Sequence, residues 1–149
     1  LIHTALQLDP DKLLDEALVG NRAIILFDGY CNFCNSSINF LLKIDKRKVF
    51  LFATSQSVAG KILATKFNLK SIDSVVLITN GKVYLYSSAI FSIFSKLSYP
   101  WKLLSIFKIA PTFLRDAIYK WFAKNRYNWF GKRSVCRIPT TAERERFLD

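Results

Sequence analysis

Few local patterns restrict a fold as tightly as Ile24-Ile25-Leu26-Phe27-Asp28-Gly29-Tyr30-Cys31-Asn32-Phe33-Cys34. Four consecutive β-favouring apolar residues predict a buried strand, Asp-Gly breaks it, and Ile38, Leu41 and Leu42 then recur at helical spacing. The two cysteines therefore fall at a strand-to-helix junction. A helix start offers unpaired backbone N–H groups and the positive end of the helix dipole, and both favour a thiolate over a thiol.

The pattern continues in regular alternation. Residues 48–53 form a second apolar run, and a helix of this length between two strands predicts a parallel pair with a right-handed crossover. Ser55 or Ser57 can cap a second helix that runs through Leu63 and Phe67 toward Asn68. Residues 74–79 and 82–86 flank Asn80-Gly81, which predicts a hairpin because a type I′ turn needs positive φ at both central positions. Ser87 or Ser88 is expected to cap a third helix carrying Ile90, Phe91, Phe94 and Leu97. The order is β-α-β-α-β-β-α.

Beyond Pro100 the chain becomes aromatic and basic. Trp101 to Ile109 is expected to form a helix-like piece ending before Pro111. A further helix follows, with Phe113, Leu114, Ala117, Ile118, Trp121 and Phe122 on one face and Arg115, Lys120 and Lys124 outside it. From Lys96 to Arg137 there are ten Lys or Arg against Asp116 alone, a net +9 out of the +11 carried by the whole chain. Two readings follow. The aromatics either cover the sheet while the lysines are solvated, or they form, with the cations, a docking patch for an anionic membrane surface. Nucleic acid is not expected, because no recognised binding motif accompanies the charge.

Length and composition bound the rest. With 149 residues, 51% of them hydrophobic, the chain can bury one core, so residues 23–149 are read as one domain. Residues 1–22 are read as an N-terminal extension with a short helix started by Asp9-Pro10-Asp11. That segment lacks the basic-then-apolar pattern of a secretory signal, and three cysteines do not suit a disulfide-stapled scaffold, so the cytoplasm is the expected location, with a membrane-peripheral position compatible with the basic patch. No cofactor is required. Cys31, Cys34 and Cys136 with the remote His3 make a poor set for a four-ligand zinc or iron–sulfur site, and Cys136 is read as a buried structural thiol or, in the alternative, as a third redox partner folded back near the site.

The element order, the hairpin and a C-x-x-C at the first helix start resemble the thioredoxin fold. More specifically, Asp28-Gly29-Tyr30-Cys31-x-x-Cys34, Ser87-Ser88-Ala89, Asn125-Arg126-Tyr127 and the tail Cys136-Arg137-Ile138-Pro139-Thr140 resemble the DCC family of predicted thiol-disulfide oxidoreductases, from about Arg22 to Asp149. The fold this implies is a thioredoxin-like α/β core with extra C-terminal helices. The activity it implies is dithiol–disulfide exchange with a protein or small thiol substrate; the alternative is a non-catalytic adaptor that docks on a membrane or protein through the basic aromatic segment.

In the catalytic reading Cys31, nearer the helix start and the surface, is the attacking thiolate and Cys34 resolves the mixed disulfide. Asp28 ends the strand beside them. It is read either as a partly buried carboxylate with a raised pKa that takes a proton from Cys34 or as an acceptor for turn N–H groups. The chain departs from thioredoxins where those proteins carry a cis-proline before the hairpin. Residues 72–75 here read Ile-Asp-Ser-Val, a loop expected to be trans, so the usual peptide docking does not carry over.

Overall fold

A computed structural model describes residues 22–69, 75–97, 101–131 and 146–148. Their elements are β1 (Ala23–Phe27), α1 (Asn32–Ile44), β2 (Phe50–Thr54), α2 (Val58–Lys66), β3 (Val76–Thr79), β4 (Lys82–Leu85), α3 (Tyr86–Lys96), a 3-10 helix (Trp101–Ile109) and α4 (Thr112–Phe130). The expected extension up to residue 21, the loop residues 72–74 and Cys136 lie outside the described residues.

The sheet order is β2-β1-β3-β4. β1 runs parallel to β2 and antiparallel to β3, and β3 pairs antiparallel with β4 through the expected turn, where Asn80 and Gly81 have φ of 53° and 74°. β1 is central and buried along its whole length, which explains a continuous apolar run instead of an alternating one.

Its side chains still alternate between two cores. Ala23, Ile25 and Phe27 join Phe50, Phe52, Ile38, Leu41, Ala89 and Ile93 on the face covered by α1 and α3. Ile24 and Leu26 join Leu51, Ala53, Val76, Ala59 and Leu63 on the face covered by α2. Each of these large side chains contributes ~1.5–3 kcal/mol relative to exposure, so the sheet interior dominates the stability and holds the end of β1 rigid beneath the cysteines. The result is the α/β/α arrangement of a thioredoxin-like fold.

Helix starts follow local chemistry in one case and tertiary chemistry in another. Ser57 caps α2, its Oγ accepting from Gly60 N at 3.0 Å. Neither Ser87 nor Ser88 caps α3. The helix begins at Tyr86 behind Leu85 with no side-chain cap, and instead Asp116 reaches over from α4 to accept from Ser87 N at 3.3 Å and from Ser87 Oγ. The serine is a donor to the one acid of the basic segment, and that long-range bond replaces the local one.

A buried ion pair, Arg146 with Asp45, ties the C-terminal end to the sheet. Asp45, the C-cap of α1, accepts from Val49 N and Phe50 N at 3.1 Å each and pairs with Arg146, whose Nε also donates to Phe50 O at 3.1 Å. Removing one partner of a buried pair costs ~3–5 kcal/mol, and here two backbone donors would still satisfy Asp45, so Arg146→Met is expected at the low end, about 3 kcal/mol by urea unfolding. A loss below about 0.5 kcal/mol, the level of an ordinary surface substitution, would show that the pair is not buried in solution.

α4 departs most from expectation. The stripe expected to cover the core points outward: Phe113, Ile118 and Trp121 are 78%, 59% and 60% exposed, and Phe122 alone of that set packs inward against Phe33, ring centroids 4.9 Å apart. The 3-10 helix fully buries none of its residues, but Trp101 packs on the first core and against Phe40, ring centroids 4.9 Å apart, as core cover requires. Polar anchors set this rotation. Asp116 holds Ser87, Tyr119 Oη accepts from Val75 N at 3.0 Å, and Arg126 and Tyr127 both bind Asp28. On a wheel of 100° per residue the anchored stripe lies roughly opposite the apolar one.

Candidate active site

β1 ends at Phe27, and the chain makes its turn in four residues before α1 begins at Asn32 with Cys31 as N-cap. The N-cap is a sulfur: Cys31 Sγ accepts from Cys34 N at 3.2 Å, the geometry in which a serine or aspartate oxygen usually serves. Asn35, buried one turn on, donates from Nδ2 to Gly29 O at 2.8 Å and to Cys31 O at 2.9 Å and so locks the turn to the helix.

This position acts on the two thiols in opposite directions. Cys31 is lowered to about 6, chiefly by the hydrogen bond from the Cys34 side chain, with help from the Cys34 backbone N–H and the Arg126 charge, against the cost of burial. Cys34 is pushed far up, because it donates to Cys31 and is desolvated. One thiolate and one thiol share the site. Both are free, with no disulfide between them in this structure.

Exposure does not follow acidity. Cys31 is buried, not near the surface as expected, while Cys34 is half-buried. The end of α4 lies over the start of α1: Asn32 Nδ2 donates to Phe130 O at 2.9 Å, and Asn32 N to Gly131 O at 3.5 Å. Gly131 has φ +85°, and a Cβ there would sit 3.0 Å from Asn32 Nδ2, so glycine suits this crossing on both counts.

Asp28 is buried and accepts four hydrogen bonds. Oδ1 takes Tyr30 N at 3.0 Å and Gln56 Nε2 at 2.9 Å, and Oδ2 takes Arg126 Nη2 at 3.3 Å and Tyr127 Oη. Gln56 in turn accepts from Gly29 N at 3.0 Å. The turn-acceptor role thus exists beside a second one. Asp28 holds Arg126, whose Nη1 lies 3.6 Å from Cys34 Sγ, so the carboxylate reaches the thiols through a guanidinium.

Arg126, Tyr127 and Gln56 carry this arrangement, and residue-by-residue reading of the sequence assigns them no role. Two signals are available: the Asn125-Arg126-Tyr127 segment that carries part of the family resemblance, and Arg126 itself, a cation four residues after Phe122 where packing alone calls for an apolar side chain. A cavity of about 100 Å³ adjoins Cys34. Cys34 and Arg126 meet Phe33, Ile38, Ile90 and Phe122 in its almost wholly apolar wall. Among the described residues no three His, Cys, Asp or Glu side chains gather as metal ligands would.

A thioredoxin-like α/β domain with a C-x-x-C pair at the start of its first helix is the class that fold and site define. A family model described as DCC1-like thiol-disulfide oxidoreductase matches residues 25–132. The chain belongs to that DCC family. It is 40% identical over 132 residues to the uncharacterized protein YuxK of Bacillus subtilis (strain 168), covering 87% of this chain and 96% of that protein. It is 38% identical over 120 residues to the DCC family protein At1g52590, chloroplastic, of Arabidopsis thaliana, covering 78% of this chain and 70% of that one. No solved structure matches the chain.

Proposed function

We propose that this protein exchanges a Cys31–Cys34 dithiol for the disulfide of a protein or small thiol substrate, with Cys31 as the attacking group. The observation that carries the reading is the division of the pair into an acidic Cys31 that accepts from Cys34 N and a Cys34 held protonated beside Arg126. Family membership supports the reaction class.

In the reductive direction Cys31 Sγ⁻ attacks one sulfur of R–S–S–R′. The S–S bond breaks, R′–S⁻ leaves and takes up a proton, and a mixed disulfide joins R to Cys31. Cys34 then gives up its proton and attacks Cys31 Sγ, which releases R–S⁻. Two electrons pass to the substrate and the dithiol becomes a disulfide; the reverse sequence oxidises a substrate dithiol. In that reverse direction a second substrate thiolate attacks the R sulfur of the mixed disulfide, and Cys31 leaves readily because its thiolate is stable. The apolar cavity beside Cys34 favours an apolar group next to the reacting sulfur of the substrate.

The test is a redox titration read by mass spectrometry. A nucleophilic thiol near 7 accompanies a potential near −270 mV in thioredoxin. A more acidic Cys31 favours the dithiol further, so an intramolecular disulfide with a potential less negative than about −270 mV is expected. Failure to form a Cys31–Cys34 disulfide anywhere between roughly −350 and −100 mV would rule the exchange reading out.

A further inference from the structure

We infer that the outward face of the 3-10 helix and α4 docks on an anionic lipid surface. This is independent of the thiol chemistry. Monomeric proteins rarely leave so continuous a run of large apolar side chains in water. Ile106 and Ile109 lead across Pro111 into Phe113, Ile118 and Trp121, with Ile109 the most open at 84% exposed.

The helix is not free to turn this face inward. Its opposite side is fastened by Asp116 on Ser87, by Tyr119 on Val75 and by Arg126 and Tyr127 on Asp28. Rotating the apolar stripe into the core would break all of these anchors. The exposure is therefore built in.

Charge selects the occupant. Exposed Lys102, Lys108, Lys120 and Lys124 flank the apolar residues, and Asp116, the only acid between Lys96 and Arg137, is already engaged by Ser87. A second copy of this chain would bring the same cations against one another, whereas an anionic headgroup layer complements them and accepts the apolar side chains beneath. No helix among the described residues is long and apolar enough to cross a membrane, so contact through this face is interfacial.

Flotation of the full chain with vesicles tests this. Binding is expected to vesicles containing phosphatidylglycerol, to fall with added salt, and to be far weaker on pure phosphatidylcholine. Lys108→Gln with Lys124→Gln is expected to weaken it about 25-fold, at about fivefold per cation. Ile118→Glu, on a side chain that makes no core contact, is expected to abolish binding while leaving the alkylation profile of Cys31 unchanged, which checks that the variant is folded. Equal binding to both vesicle types, no binding at low salt, or unchanged binding by folded Ile118→Glu would overturn the inference. So would light scattering that finds a vesicle-free dimer converted to monomer by Ile118→Glu, since a second copy would then cover the face.

Discussion

Replacing Cys31 by serine is expected to reduce disulfide exchange to background, whereas Cys34→Ser is expected to leave the first attack intact and to accumulate a mixed disulfide on Cys31. The asymmetry follows from acidity. At pH 7 a thiol of pKa about 6 is mostly thiolate, against about 1% for one near 9, a gain of about 90-fold. Lower basicity takes back roughly 16–32-fold through reduced nucleophilicity, so the net advantage in attack is about three- to sixfold. The larger effect lies with Cys34. Its pKa is pushed far above the ordinary range, which leaves it almost no thiolate to substitute for Cys31.

The cause can be separated from the effect. Because the first cause of the lowered Cys31 value is the hydrogen bond from the Cys34 side chain, Cys34→Ser keeps a donor, and the alkylation midpoint of Cys31 is expected to stay near 6. Cys34→Ala removes the donor, and the midpoint is expected to rise by a unit or more. If iodoacetamide instead labels half-buried Cys34 first in the wild type, exposure outweighs acidity and the order of attack is reversed. The same shift enters stability. Folded Cys31 ionises below its unfolded value, so the dithiol protein gains stability as pH rises from about 6 toward 9 and loses it as pH falls through 6. Cys34 acts oppositely: above about 9 the unfolded chain releases its proton and the folded one does not.

Asp28→Ala is expected to be the most damaging change away from the thiols, about 5 kcal/mol, at the upper end for breaking a buried ion pair. The reason is the number of donors left behind. Arg126 Nη2, Tyr127 Oη, Gln56 Nε2 and Tyr30 N all end on this carboxylate, and Arg126 Nε is already buried without a partner. Asp28→Asn keeps the shape and one acceptor oxygen, so it separates charge from geometry. It is expected to fold, and to loosen Arg126 from Cys34 enough to slow the resolving step, read as a longer-lived mixed disulfide. Chemical denaturation gives the first number and quenched-flow trapping the second. Unchanged stability in Asp28→Ala would mean that the four donors find water, and unchanged resolution in Asp28→Asn would limit the carboxylate to holding the turn.

What could be read from residue order alone is confined to interactions that close within a few residues. The β1 run, the Asp-Gly break, the helical spacing from Cys31 to Ile44 and the Asn80-Gly81 hairpin each depend on φ preferences and on periods of two or 3.6, and the strands and helices form there. The cysteine pair at the helix start belongs to the same class. The rotation of α4 does not, because its apolar stripe and its polar anchors predict opposite orientations and periodicity weighs only the first. Polar groups lying far apart in sequence decide it: Asp116 with Ser87, Tyr119 with Val75, and Arg126 and Tyr127 with Asp28, where leaving a buried donor or charge unpaired costs more than leaving an apolar side chain in water. That one tertiary choice brings a guanidinium to Cys34 and turns the apolar face outward.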